Sequence, residues 1–113
     1  MLTIDVLKEY GANTEEGLGR CFNNVDFYLR LVGMALDDPN FQNLKTAMEA
    51  GDANAAFEAA HALKGAIGNV SLTPIYKPVS ELTEILRGRG DTANGEALCA
   101  EVMAQYEKLK AMR

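Results

Sequence analysis

The sequence predicts an all-α fold, an up-down antiparallel four-helix bundle with additional N-terminal helices, and three observations carry that expectation. Apolar residues recur at helical spacing, as in Phe41, Leu44 and Met48, in Ile75, Val79, Leu82 and Leu86, and in Leu98, Val102, Tyr106 and Leu109. Strand-like alternation rich in Val, Ile and Thr is missing. Proline and glycine stand where helices would begin and end.

Taken in order, one or two short helical pieces are expected before residue 22, then a helix over about 24–36. The next, about 38–50, opens on Asp38-Pro39, which pairs a side-chain cap with proline at the first helical position, and stops at Gly51. Asp52 caps a helix over about 53–70, Thr73-Pro74 repeats the start signal for one over about 74–88, and Gly88 and Gly90 end it. The last helix covers about 95–112. Short connections at Gly51-Asp52 and from Val70 to Thr73 favour antiparallel neighbours. The organisation expected is a single domain over 1–113, with 1–36 as the N-terminal helical segment and 38–112 as the bundle.

The bulk properties narrow the function. A hydrophobic fraction of 48% and a charged fraction of 24% over 113 residues suit one soluble globular domain with its own core. The net charge of -5 argues against nucleic acid as a partner, because affinity for phosphate backbones rests on clustered Lys and Arg. No stretch approaches the roughly 18 apolar residues of a membrane span and the first residues do not read as a leader, so a cytoplasmic protein without membrane contact is expected. Cys21 and Cys99 are far apart and outside any CxxC pair, and are expected to be free thiols.

His61 is the only histidine, which excludes any dyad or cluster that needs two imidazoles. On a helical wheel of about 100° per residue, Ala56, Ala60, Leu63, Ile67 and Val70 fall within about 60° of one line, the expected core stripe. His61 lies about 160° from Leu63, facing solvent, with Asn54, Phe57, Glu58, Gly65 and Gly68 within about 60° of it and Lys64 at about 60°. Glycine costs about 1 kcal/mol relative to alanine inside a helix, yet two glycines follow the histidine on its own face. The expectation is a surface kept bare for another protein to approach, with Lys64 at i+3 able to swing toward an attached anion.

Phosphoryl transfer to nitrogen fits this arrangement. An ordinary imidazole, with a pKa of about 6.5, is largely neutral near pH 7 and offers a lone pair for in-line attack on phosphorus. The chain has no GxxxxGK[ST] phosphate loop and no acidic metal cage, so the metal ion and most of the electrostatic stabilisation must come from elsewhere. A solvated histidine with no role is the bland alternative, and Lys64 and the glycines argue against it. Close helix packing is the bland reading of Gly65 and Gly68.

The run His61-x-Leu63-Lys64-Gly65, with Gly68 and Asn69 following, resembles the signature of histidine-containing phosphotransfer (HPt) domains. The resemblance extends from about Phe41 to Arg87, including the Gly51-Asp52 junction and the Ser80-Glu81-Leu82 region. It implies a four-helix bundle whose histidine takes a phosphoryl group from a receiver-domain aspartate, or from a histidine kinase, and passes it to another receiver. His61 would then be the phosphoacceptor and Lys64 the phosphate stabiliser. Gly65, Gly68, Phe57, Asn54, Glu58 and Asn69 would face the partner. The resemblance further implies a monomeric carrier without kinase activity of its own, binding no cofactor or metal, with Mg2+ held by the receiver. Ser71 departs from the pattern, since many members have glycine ten residues after the histidine. The competing functions are the phosphoacceptor domain of a chemotaxis-type kinase and a non-catalytic helical adaptor that binds a receiver.

Overall fold

The computed structural model describes residues 1–88 and 90–113. Among the described residues seven α-helices follow in order: α1 (Ile4–Tyr10), α2 (Thr14–Arg20), α3 (Val25–Leu36), α4 (Asn40–Glu49), α5 (Ala53–Asn69), α6 (Thr73–Leu86) and α7 (Glu96–Ala111). A short 3-10 turn, Thr92–Gly95, leads into α7. Among the described residues no strand is present and no helix is long and apolar enough to cross a membrane.

The helix starts show what the local signals do. Asp52 caps α5 by accepting the Ala55 amide at 3.0 Å, and Gly51 supplies the left-handed conformation, φ 68°, that turns the chain out of α4. Asp38 also acts at the start of α4, accepting the Asn40 amide at 2.8 Å. Thr73 does not cap α6 as expected. Its hydroxyl instead reaches the Ser71 carbonyl at 3.5 Å, and no side chain caps that helix. The N-terminal helices are each capped as well, by Thr3, Asn13 and Asn24.

Helices α4 to α7 pair in chain order, and α4 closes on α7. Phe41 of α4 stacks on Tyr106 of α7 with ring centroids 3.9 Å apart, which seals that closure. The interior is filled by Leu44 and Phe41, by Ala56, Ala60, Leu63 and Ile67 of α5, by Ile75, Val79, Leu82 and Leu86 of α6, and by Val102 and Leu109 of α7. Met48, Leu98 and Tyr106, expected in the core, are partly buried at its edge. Cys21 and Cys99 are buried free thiols.

The N-terminal segment is tied to the bundle end where α5 turns into α6. Leu7, Tyr28 and Val32 are fully buried, and the Tyr28 hydroxyl donates to the Val70 carbonyl at 2.8 Å. Burial pushes that phenol up to about 12. The Tyr10 hydroxyl donates to the Gln105 carbonyl at 3.0 Å, and Arg113 forms a two-point pair with Asp37 at 2.7 and 2.9 Å. The segment thereby brackets both the α5 terminus and α7.

Leu63 is completely buried directly beneath the histidine's turn. Leu63→Ala is expected to destabilise by about 2 to 5 kcal/mol through the cavity it leaves. Urea unfolding monitored by circular dichroism measures this, with native helicity preserved before the transition.

Candidate functional site

The burial of α5 fixes the phase of that helix. Ala56, Ala60, Leu63 and Ile67 face the interior, and His61, on the opposite side, is exposed. The imidazole opens onto a surface depression of about 460 Å³ that also takes in Lys64, Gly65, Gly68, Asn69 and Tyr76, and, from outside this helix pair, Glu16, Arg20 and Ser71. Among the described residues no group of three or more His, Cys, Asp or Glu is placed to hold a metal ion.

The two glycines play different parts. A Cβ on Gly65 would meet nothing within 4 Å, so the helix beside His61 is bare there. A Cβ on Gly68 would stand 2.9 Å from a ring carbon of Tyr76. Gly68 is therefore a contact point between α5 and α6, and its expected role as open clearance is corrected: the Tyr76 ring already occupies the space.

Phe57, expected on the partner-facing surface, is only 7% exposed. Its ring stacks on the imidazole of His61 at 5.6 Å with an interplanar angle of 21°, and the Arg87 guanidinium lies 5.4 Å from its centroid. One helical turn before the histidine, it is a floor under the imidazole rather than a face for a partner. Glu58 is exposed but borders the groove between α4 and α5 with Asn43, Thr46 and Asp52, away from the depression. Asn54 is exposed two turns before His61, and Asn69 lines the depression.

Lys64 is half-buried, with its ammonium 3.9 Å from Glu84 Oε1 on α6. Glu84 is itself held by Arg87, which donates from Nε to Oε2 at 3.0 Å and from a terminal nitrogen to Oε1 at 3.1 Å. Those bonds, followed by the Arg87 charge and by Lys64, keep the Glu84 carboxyl below its usual range, and so ionised near neutrality.

Arg20, Glu16 and Ser71 were not legible as site residues. Ser71 has φ 56° and is buried, in a region where a non-glycine residue carries strain. The strain is offset by bonds that glycine could not make. The Ser71 hydroxyl donates to Glu16 Oε1 at 2.8 Å and accepts from Arg20 at 2.7 Å, while Arg20 also donates to the Gly68 carbonyl at 2.8 Å and pairs with Glu16 at 3.0 Å. Helix α2 is thus clamped to the end of α5. The Ser71 bond first, then Arg20, lowers the Glu16 pKa.

A family model described as the Hpt domain matches residues 37–112, more than half of the chain. The crystal structure of the HPT domain from an Hpt sensor hybrid histidine kinase of Shewanella superposes with a TM-score of 0.80 at 17% sequence identity, covering 91% of this chain and 90% of that one. At that identity the likeness concerns the fold. Its coverage exceeds residues 37–112, so the shared architecture extends into the N-terminal helices. No curated protein matches the chain.

Gly65→Ala is expected to stabilise the protein by up to about 1 kcal/mol, whereas Gly68→Ala is expected to gain nothing or to destabilise unless Tyr76 is also replaced by Ala. Paired denaturant titrations with and without Tyr76→Ala measure the coupling. For Glu16, a lowered folded pKa means that its stabilisation is present above the ordinary carboxylate range and is lost as pH falls through the lowered value. The wild type should therefore melt above Glu16→Gln at about pH 7, and the gap should narrow steadily as pH falls below the ordinary carboxylate range of about 4, as read by thermal unfolding.

Proposed function

Because this chain belongs to the Hpt domain family, whose members carry phosphoryl groups on histidine in phosphorelays between receiver domains and histidine kinases, we propose that His61 is its phosphoacceptor. The observation that supports this most is the exposed, solitary imidazole beside the bare turn at Gly65, on a helix whose opposite face is locked into the core.

The receiver aspartyl phosphate arrives over Gly65, and a ring nitrogen of His61 attacks phosphorus in line. The N–P bond forms as the P–O bond to the aspartate breaks, which returns a carboxylate to the receiver. The ring keeps the positive charge until the proton on its other nitrogen passes to water. A Mg2+ ion bound by the receiver would supply charge neutralisation for the transferring group, and Lys64 supplies a further cation from this chain. Phe57 beneath the ring limits the rotamers that the imidazole samples, so less conformational freedom is lost on the way to attack. In reverse the same geometry delivers the group to a second receiver. The chain acts as a monomeric carrier and leaves kinase chemistry to its partner.

Incubation with a phosphorylated cognate receiver should label the protein with acid-labile, alkali-stable phosphate. His61→Gln should abolish the label while leaving circular dichroism unchanged, and labelling that persists in that variant contradicts the assignment.

A further inference from the structure

His61 and Lys64 are joined by a second route that runs through α6. The imidazole stacks on Phe57, the Arg87 guanidinium lies over Phe57, Glu84 accepts two bonds from Arg87, and Lys64 returns to Glu84 at 3.9 Å. The carboxylate oxygen nearest Lys64, Oε1, is one that Arg87 also bonds. Glu84 thus places an anion within reach of the one lysine in the His61 depression.

An ammonium on a flexible stem serves whichever anion offers the stronger field. In the unphosphorylated protein that anion is Glu84. Once His61 carries a phosphoryl dianion, Lys64 must leave Glu84 to neutralise it, so the phosphorylated form forfeits the Lys64–Glu84 contact. We infer that Glu84 is a positioning residue that holds Lys64 in the unphosphorylated protein and thereby lowers the phosphoryl occupancy of His61, biasing the group toward the receiver. The inference rests on His61 being the phosphoacceptor. Both side chains are partly exposed, 30% for Lys64 and 57% for Glu84, so the bias is modest and screened by salt.

The test is the equilibrium constant for phosphoryl exchange between the whole protein and a phosphorylated receiver domain, at fixed ionic strength. Glu84→Gln, which keeps the shape and removes the charge, should shift the equilibrium toward phosphohistidine by about two- to fivefold. In a Lys64→Gln background, the same substitution should shift nothing. An unmoved equilibrium in Glu84→Gln overturns the inference. So does a shift that persists without Lys64, because simple repulsion between Glu84 and the phosphoryl group would then suffice. A wild-type protein that takes no label at all contradicts the phosphoacceptor assignment itself, and an outcome in which only the Glu84 effect is missing leaves that assignment standing.

Discussion

The rotational phase of α5 is the constraint on which the rest depends. Leu63 and Ile67 are fully buried, and each removes from water a side chain worth about 1.5 to 3 kcal/mol when transferred to an apolar interior. A helix pinned by these residues, together with Ala56 and Ala60, cannot rotate without exposing them. His61 is therefore held outward by forces that act on its neighbours and make no use of the imidazole itself. The outward direction of residue 61 is set by core packing in which its imidazole takes no part, and the ring's stack on Phe57 adds to that placement.

Around that axis the structure distributes three supports. Phe57 gives the ring a floor, Gly65 keeps one flank open, and α6 brings Tyr76, Glu84 and Arg87 along the other side. The end of α5 is stiffened from outside the bundle. Ser71 adopts a left-handed conformation that glycine would enter without strain, and Glu16 and Arg20 of α2 compensate by bonding its hydroxyl. Helix α2 thereby becomes a wall of the depression as well as a cap on the bundle.

Much of this was readable in the amino acids and some was not, for reasons that differ residue by residue. Helix positions followed from caps and stops that act within a few residues, as at Asp52 and Gly51, and the outward phase of His61 followed from helical periodicity alone. Thr73 misled because its hydroxyl found the Ser71 carbonyl instead of the helix start. Gly68 misled because a helical wheel reports direction and not what a neighbouring helix places there, which is the Tyr76 ring. Phe57 lay near the wheel's border, where neighbouring helices decide between burial and exposure. Arg20 and Glu16 were beyond reach of local reasoning, since they meet Ser71 across 51 and 55 positions of chain.

The most direct measurement of the central claim is a phosphorus–proton correlation spectrum of the protein equilibrated with a phosphorylated receiver. One phosphorus resonance should couple to the ring protons of a single imidazole, with the amide signals of Lys64 and Gly65 displaced. Phosphorus coupled to protons of any other side chain, or a receiver that gives up its phosphate to water while the imidazole signals stay unchanged, would contradict it.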